Sequence, residues 1–321
     1  MDNLCHTLVG AALGKAGLEK RTPLGTATLL LGANLPDVDV LSYFWGADTA
    51  LSFRRGWTHG VLALALWPFV LTGLMLAWDR GVRRRRRPEA VPADACALLL
   101  LSTVSILTHP FLDWLNNYGL RWLMPFRDVW FYGDTLFIVD PWIWLMLGAG
   151  VVASSWLGRR GAVRPERPSQ IALAAVSVYI IALGLSGWAA RAMAVKALSE
   201  SGKPPIRLMA GPVFATPFRR QIVADVGDRY AVGTLEWLPR SVFFLDSTGV
   251  LKGDAHPAVA AARQTREAAI FLHWARFPFF RVKETPDAWT VHMIDARYTL
   301  LPGRPGRGFG ATVVTVPRGQ L

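Results

Sequence analysis

Cysteine is scarce in this chain of 321 residues, which contains only Cys5 and Cys96. Both stand in apolar surroundings, and neither belongs to a Cys-x-x-Cys pair. Disulfide frameworks and cysteine-based zinc sites need several cysteines at short, regular spacings. The sequence therefore supports neither of these two kinds of cross-link.

Charge is missing from four long apolar runs. Val61–Trp78, Pro141–Gly158 and Ile171–Ala190 contain no charged side chain, and the only ionisable imidazole within Ala95–Leu112 is that of His109. A helix rises about 1.5 Å per residue, so runs of these lengths cover about 27–30 Å, close to the hydrocarbon core of a membrane. We predict that these runs form four transmembrane helices.

Two shorter apolar segments, around Leu4–Gly14 and Pro23–Pro36, precede the four runs. Each is too short to cross a membrane alone. The first of them also lacks the basic start that is typical of a cleavable signal peptide. We predict that the two segments form a helical hairpin that packs against the bundle or inserts partly into the membrane.

Acidic residues are fewer than basic ones, 23 against 35, and the formal net charge is +12. Many basic residues lie in two short loops, 80–87 and 159–167, between predicted spans. The positive-inside rule makes both loops cytoplasmic, which explains the charge more simply than nucleic-acid binding does. We therefore predict a multi-pass protein of a bacterial-type inner (plasma) membrane. Four arginines fall on its predicted outer side: Arg54, Arg55, Arg121 and Arg127.

Residues 200–321 contain no run long enough to span a membrane. Alternating segments at Arg220–Val226, Tyr230–Trp237 and Trp289–Tyr298 predict strands, and Ala258–Ala269 predicts a helix. The predicted fold is a mainly α membrane protein, with about four transmembrane helices and an N-terminal helical hairpin. A small soluble α+β domain follows over residues 196–321 and is expected on the outer face.

His109 and Asp113 stand four residues apart in the segment T-H-P-F-L-D-W. This spacing places both side chains on one face of a helix, about one turn apart. Such a pair suits two ligands that reach one metal ion. A local hydrogen bond between the two side chains explains the same spacing, so the pair alone leaves both interpretations open.

Asp37 and Asp39 lie in N-L-P-D-V-D, a segment that we predict to be a loop, where they bridge metal ions or cap a helix. His59, in G-W-T-H-G, comes just before the first span, and Thr58 is a candidate cap for that helix. His6 lies at the start of the first short helix. Taken singly, each of these residues also has a structural explanation.

The predicted topology brings the candidate residues to one side of the membrane. The outer ends of the first two spans carry His59, His109 and Asp113, and the hairpin starts near His6 and ends near Asp37. Imidazole and carboxylate groups together suit zinc, or alternatively manganese. Five ligands with two carboxylates are enough for one or two divalent ions.

Two further acids, Asp134 and Asp140, come shortly before the third span on the same predicted side. Each is a candidate ligand, a general base, or a partner that orients a ligand histidine through its second ring nitrogen. Asp140 is followed by Pro141, a pair that also fits the capped first turn of a helix. The sequence does not decide between these roles.

An ordered set of short motifs runs along residues 1–190. They are M-D-N-L-C-H-T-L-V-G, N-L-P-D-V-D, R-G-W-T-H-G, H-P-F-L-D-W-L-N-N-Y-G and G-D-T-L-F-I-V-D-P. This set resembles the YdjM-like family of membrane-bound metal-dependent hydrolases, and I-D-A-R-Y within Phe277–Tyr298 resembles the family's C-terminal part. That family is distantly similar to zinc-dependent phospholipase C and to fungal zinc nucleases, which are helical proteins that cleave phosphodiesters with a metal cluster.

The resemblance implies a role for each of five residues. His59, His109 and Asp113 would hold one metal ion, Asp37 would bridge, and His6 would help to hold a second. The sequence lacks the downstream histidine pair and the His-x-x-x-Glu of the phospholipase pattern. A complete three-metal cluster, and with it phospholipase activity, is therefore not supported.

The function predicted from these residues is metal-assisted hydrolysis by a membrane-embedded domain over residues 1–195. A metal-activated water would attack a phosphodiester or a lipid-linked ester, with Asp37 or Asp39 as the catalytic carboxylate. The position of the site at the membrane boundary favours a lipid or lipid-linked substrate.

Two alternatives belong to other functional classes. One is a non-catalytic membrane scaffold that has a structural metal or a His/Asp cluster. The other is an ion transporter, which ranks lower because its ionisable residues would run through the depth of the spans. The sequence says nothing about the oligomeric state.

Overall fold

The computed structural model describes residues 1–298 and 309–320. The chain divides into two compact units. The first comprises Met1–Ser42 and Phe53–Leu183, and the second comprises Tyr43–Ser52 and Gly184–Leu321. The division falls inside one long helix, whereas the predicted domain boundary at residues 195 and 196 lies further along that helix and stays a prediction.

Helices account for most of the first 200 residues. They are α1 (Asn3–Lys15), α2 (Gly25–Asn34), α3 (Ala47–Phe53), α4 (Val61–Trp78), α5 (Arg84–Arg86), α6 (Ala95–Trp114), α7 (Pro141–Arg159) and α8 (Arg167–Glu200). Two 3-10 helices, Leu18–Arg21 and Leu35–Trp45, flank α2, and a π-helical turn at Asp79–Arg83 joins α4 to α5.

The four predicted spans are confirmed as helices. Within the described residues, four helical stretches are long and apolar enough to cross a membrane: Val61–Arg86, Ala95–Trp114, Pro141–Arg159 and Arg167–Glu200. In the most apolar window of the first stretch, only 17% of the residues are buried by protein. The remaining apolar surface of that stretch is available to lipid, as expected of a membrane helix.

The N-terminal hairpin packs against the bundle, as predicted. α1 contacts α2 and α7, and α2 contacts α6. Asp2 caps α1 by accepting a hydrogen bond from the amide of Cys5 at 3.0 Å. A Cβ atom on Gly10 of α1 would lie 2.7 Å from the carbonyl oxygen of Leu29 in α2, so the two helices approach as closely as glycine allows.

The segment that carries Asp37 and Asp39 is a 3-10 helix rather than the predicted loop. α2 passes directly into it, since Leu35 keeps a right-handed helical conformation. Pro36 does not interrupt the chain there because proline is tolerated in the first turn of a helix, where no backbone donor is needed. The two acids are therefore held on a regular backbone.

The second unit contains two antiparallel sheets among its described residues. One has strand order β1 (Arg207–Val213), β2 (Thr216–Asp225), β3 (Arg229–Glu236), β4 (Val242–Leu251), and the other β5 (Pro278–Glu284), β6 (Ala288–Asp295), β7 (Ala311–Pro317). The end of α8 supplies Ala190, Ala194 and Leu198 to the core beneath the first sheet. This arrangement confirms the predicted small α+β domain.

Two local predictions in this unit were wrong. The single helix expected at Ala258–Ala269 is two helices, α9 (Pro257–Ala262) and α10 (Arg266–Trp274). The hydroxyl of Thr265 accepts a hydrogen bond from the amide of Ala268 at 3.3 Å and thereby starts a new helix. The strand expected to reach Tyr298 ends at Asp295 and is followed by a 3-10 turn.

Candidate metal centre

Four of the predicted ligands converge at one end of the helical bundle. Asp37, His59, His109 and Asp113 are buried, and one ligand atom from each lies within 4.8 Å of the others. The 3-10 helix after α2 supplies Asp37, the segment before α4 supplies His59, and one face of α6 supplies the other two. The spacing of four residues in α6 therefore places His109 and Asp113 on one face of the helix, as predicted.

The distances within this group are short. The Nε2 atoms of His59 and His109 are 3.1 Å apart. Asp113 Oδ2 lies 3.4 Å from the first of these nitrogens and 3.6 Å from the second. Asp37 Oδ1 lies 3.9 Å and 3.7 Å from the same two nitrogens. Two imidazole nitrogens and two carboxylate oxygens thus surround one point.

The second ring nitrogen of His109 identifies where its proton lies. Nδ1 is 2.6 Å from the backbone carbonyl oxygen of Ala33. A carbonyl oxygen only accepts hydrogen bonds, so Nδ1 carries the proton and donates it. When the ring is neutral, Nε2 carries a lone pair that faces the centre of the group.

A short relay of hydrogen bonds, from His59 through Thr58 to Asp39, holds His59 in the same tautomer. Its Nδ1 lies 2.9 Å from Thr58 Oγ1, and that hydroxyl donates to Asp39 Oδ2 at 3.1 Å. Because the hydroxyl proton goes to the carboxylate, His59 Nδ1 donates to Thr58 and its Nε2 is unprotonated. Burial lowers the pKa of His59 well below its usual value and keeps the ring neutral.

Thr58 therefore has a different role from the one predicted. Gly60 is the N-cap of α4, and no side chain caps that helix end. The Thr58 hydroxyl instead links Asp39 to His59. A helix-capping hydroxyl and an imidazole-orienting hydroxyl look alike in the sequence, because the choice depends on which acceptor the fold brings near.

The four residues fit a metal ion. With both rings neutral and protonated on Nδ1, the two Nε2 lone pairs lie 3.1 Å apart and cannot hydrogen-bond to each other, and a cation between them removes the repulsion. Asp113 Oδ2 is buried without a hydrogen-bond partner among the described residues. A set of two imidazoles and two carboxylates is a ligand set that zinc accepts in tetrahedral geometry. The group can therefore hold a metal ion, whose identity the donor atoms alone do not fix.

Positive groups border the cluster, and sequence reasoning missed them. The Arg55 guanidinium lies 3.0 Å from Asp113 Oδ1, which the ammonium of Met1 also contacts. Arg54 lies 3.7 Å from Asp37 and 3.3 Å from Asp39. The sequence showed these arginines only as exceptions to the positive-inside rule. Their ion pairs with three acids form a buried network that no local sequence pattern shows.

His6, the fifth predicted ligand, lies beside the group of four and outside it. Its ring stacks on that of His109 with centroids 3.7 Å apart, and its Nε2 is 3.4 Å from Asp113 Oδ1. Neither ring nitrogen has a hydrogen-bond partner among the described residues. Its role as a ligand for a second ion stays a prediction.

The two acids before the third span also lie outside the group of four. Asp140 is the N-cap of α7 and accepts hydrogen bonds from the amides of Trp142 and Ile143, at 3.0 Å and 3.3 Å. It also accepts one from the Tyr179 hydroxyl at 3.1 Å. Asp134 stands in a left-handed turn with φ of 51°. The capping interpretation of Asp140 is thus the one that the contacts describe.

Comparison with known proteins identifies the family of this chain. Residues 1–193 match the family model described as YdjM inner membrane protein. The chain belongs to the YdjM family. It is similar to the uncharacterized protein YfhP of Bacillus subtilis strain 168, with 22% identity over 312 residues that cover 93% of this chain and 87% of that protein. No solved structure matches the chain.

All four members of the metal group lie inside the part of the chain that matches the YdjM family. That part also contains the hairpin and most of the length of the four spans. The sheets of this YdjM family member begin at Arg207, beyond the matched residues. The candidate centre is therefore a feature of the membrane unit.

Asp37 connects the centre to a cavity. A cavity of about 730 Å³ lies between α2 and α4, and Asp37 is part of its wall. The volume falls within the range of about 300–1,000 Å³ that small-molecule sites occupy. The cluster is buried, yet one of its four residues faces a space large enough for another molecule.

Proposed function

We propose that this YdjM family protein is a membrane-bound metal-dependent hydrolase that acts on a phosphodiester or a lipid-linked ester. The observation that carries the proposal is the pair of imidazole Nε2 atoms, 3.1 Å apart and flanked by two carboxylates. A zinc ion is the best match to these donors, with manganese as the alternative. The contact of Asp37 with a cavity supports access for a substrate.

The chemistry would be divided among a few groups. A divalent ion in the cluster would polarise the substrate and acidify a water molecule. Asp37, whose Oδ2 accepts a hydrogen bond from Asn3 at 3.1 Å, is the carboxylate placed to accept the proton of that water. The water oxygen bonds to phosphorus, the bond from phosphorus to the alcohol oxygen breaks, and the proton passes to the departing alcohol.

The sequence left open whether Asp37 or Asp39 is the catalytic carboxylate. The contacts of Asp39 favour a different role. It accepts hydrogen bonds from the backbone amide of Arg55 at 2.8 Å and from Thr58, and its Oδ2 lies 3.4 Å from His59 Nδ1. Carboxylates in this position orient a ligand histidine and increase its basicity. We assign Asp39 to positioning and Asp37 to proton transfer.

Arg54 is the group best placed to bind an anionic substrate. Its side chain is partly exposed and ion-pairs with both Asp37 and Asp39. Guanidinium groups form paired hydrogen bonds with phosphate oxygens and stabilise the charge that develops in phosphoryl transfer. Its place beside the proposed proton acceptor favours a phosphodiester over a neutral ester.

The location follows from the family and from the basic loops. The family is one of inner membrane proteins. The loops 80–87 and 159–167 carry many arginines and are expected on the cytoplasmic side. The metal group lies at the other ends of α4 and α6. We place the group and the C-terminal unit on the periplasmic side.

A non-catalytic scaffold remains the second candidate because one observation favours it. Three of the four side chains in the group are fully buried, and that of Asp37 is only 6% exposed. Closed sites with four protein ligands are typical of structural zinc. The transporter alternative ranks lower, because the buried group lies at one end of the helices rather than through their depth.

The test is the metal content of the detergent-purified protein. We expect at least one zinc or manganese ion per chain in the wild type and loss of it in His109→Ala/Asp113→Ala. His256→Ala, which alters a histidine that caps α9 in the second unit, is the matched control and should keep its metal.

Hydrolysis of phosphodiester and lipid substrates by the metal-loaded protein then separates an enzyme from a scaffold. Stoichiometric metal with no turnover of any substrate would favour the scaffold. Absence of metal from the wild type would overturn the hydrolase and leave the scaffold, with the His/Asp cluster held by hydrogen bonds and ion pairs alone.

A further inference from the structure

The cavity beside Asp37 has two chemically different parts. Its polar lining residues, Asp37, Asn3 and Asn34, lie at the end next to the metal group, and its other lining residues are apolar. The apolar walls come from α2 and α4. They include the side chains of Leu24, Leu31, Leu71, Leu74, Met75 and Trp78.

The apolar part follows the helix axes. Leu24 lies at the start of α2, and Asn34 lies at its end, so the cavity extends about 15 Å along this helix at the usual rise per residue. On α4, the lining residues occupy the half that is remote from His59. The cavity therefore runs from the metal group into the depth of the membrane unit, parallel to a span.

We propose that this groove binds one acyl chain of a membrane lipid and holds the lipid's phosphoryl or ester group at Asp37. The proposal rests on the proposed hydrolase function and names the substrate class of that same site. The polar end matches a head group, and the apolar length matches the chain attached to it. The scissile bond would then lie where the polar and apolar parts of the groove meet.

The walls favour a hydrocarbon chain over a peptide. An extended peptide brings backbone N–H and C=O groups that must be paired when they leave water. The apolar wall residues named above offer aliphatic carbon, one thioether and one indole. Leu31 and Leu74 are 53% and 60% exposed, so the groove is open along the face that lipid covers. A chain can enter sideways from the bilayer without crossing water.

We expect the groove to position the lipid head group rather than to increase the affinity for the lipid. A chain that moves from the bilayer into an apolar groove exchanges one hydrocarbon environment for another, so burial of apolar surface adds little. Holding the chain along α2 does fix the distance of the head group from Asp37, and such orientation accelerates a reaction strongly. We therefore expect the groove to affect turnover of long-chain lipids and to leave short-chain, water-soluble analogues unaffected.

The first experiment tests occupancy without requiring catalysis. The full-length protein is reconstituted in phosphatidylethanolamine and phosphatidylglycerol vesicles that contain a phospholipid with a diazirine on one acyl chain. After illumination, labelled peptides are mapped by mass spectrometry. We expect labels within Gly25–Asn34 and Leu71–Trp78. Leu74→Trp should lower labelling there about tenfold, because the larger side chain occupies the space of the acyl chain.

Leu66→Trp is the matched control. Leu66 lies on the same helix, is 54% exposed, and does not line the groove. We expect Leu66→Trp to keep both the metal content and the labelling of the wild type. Uniform labelling of the exposed faces of α4 and α8, with no difference between the two tryptophan variants, would overturn the proposal.

The second experiment compares hydrolysis of a long-chain phospholipid with that of a soluble short-chain analogue with the same head group. Leu74→Trp should lower kcat/KM about tenfold for the first and leave the second unchanged. Equal effects on both substrates would contradict the groove. A wild-type protein that cleaves neither substrate would count against the hydrolase alone, and the labelling pattern would still decide whether the groove binds a chain.

Discussion

At the scale of residues, the centre depends on how two imidazole rings are fixed. His109 is oriented by a backbone carbonyl, and His59 by the relay through Thr58 to Asp39. In each case the neutral ring presents the lone pair of Nε2 to the centre. The tautomers are thus set by neighbours that do not themselves face the centre.

Asp39→Asn tests this arrangement. The amide occupies the same volume but loses the negative charge that the relay and His59 rely on. We expect metal affinity to fall about 10–100-fold, as is usual when an orienting carboxylate is removed. Titration with zinc against a competing chelator measures the change. Asp48→Asn, at the start of α3, is the matched control, and equal affinities in the two variants would show that Asp39 has no positioning role.

The sequence predicted the residues of the metal group better than their surroundings. His59, His109, Asp113 and Asp37 were predicted because each adjoins an apolar run whose direction across the membrane follows from loop charge. Arg55 was missed because its partner, Asp113, is distant in the chain, and no local pattern reveals such a pair. Short motifs show which residues are candidate ligands. Ion pairs between residues that are far apart in the sequence can be identified only from the folded structure.

At the scale of elements, the site depends on close packing of the hairpin. α2 carries Ala33, whose carbonyl oxygen fixes His109, and it leads directly into the segment of Asp37. α1 lies against α2 at Gly10, where there is no room for a side chain. A shift of α2 would therefore move both groups relative to α6.

Gly10→Ala should show this dependence. Its Cβ would lie 2.7 Å from the Leu29 carbonyl oxygen, and the backbone must move to accept it. We expect a loss of about 1–3 kcal/mol in stability, typical of overpacking, and weaker metal binding. Thermal unfolding in detergent and metal titration provide the readouts.

Gly73→Ala in α4 is the control for that substitution. Nothing lies within 4 Å of a Cβ at that position. Alanine there should be neutral or stabilise the helix by up to about 1 kcal/mol. If both variants behaved like the wild type, the approach of α1 and α2 at Gly10 would not be tight enough to matter.

Elements were predicted well where the apolar pattern was long. The starts of α4, α6 and α7 fall at the first residues of their predicted runs. The break between α9 and α10 was missed because the helical pattern continues through Thr265, and only the capping hydrogen bond shows where the chain turns. Segments governed by one or two hydrogen bonds are less predictable than segments governed by twenty apolar residues.

At the scale of the whole molecule, the orientation in the membrane decides which compartment supplies the substrate. The proposed orientation places the loop between α7 and α8 in the cytoplasm and the end of α8 outside. Val163 in that loop is 95% exposed, and Ser201, just after α8, is also exposed. Both are suitable positions for a reporter cysteine.

Val163→Cys and Ser201→Cys, each in a Cys5→Ala/Cys96→Ala background, test the orientation. A membrane-impermeant maleimide added to intact spheroplasts should label the second variant and not the first. Lysed cells should give labelling of both, which controls for reactivity. Labelling of Val163→Cys alone in intact cells would invert the topology and place the centre on the cytoplasmic side.

Helices in a bilayer gain little from the hydrophobic effect when they associate, since lipid chains are as apolar as leucine. His59 and His109 are separated by 50 residues of chain, and the hairpin supplies Asp37 from further upstream. A cation bound to these residues would act as a cross-link between the hairpin, the first span and the second span. In a chain whose two cysteines are both free, such a cation would do for the membrane unit what a disulfide does for a secreted domain.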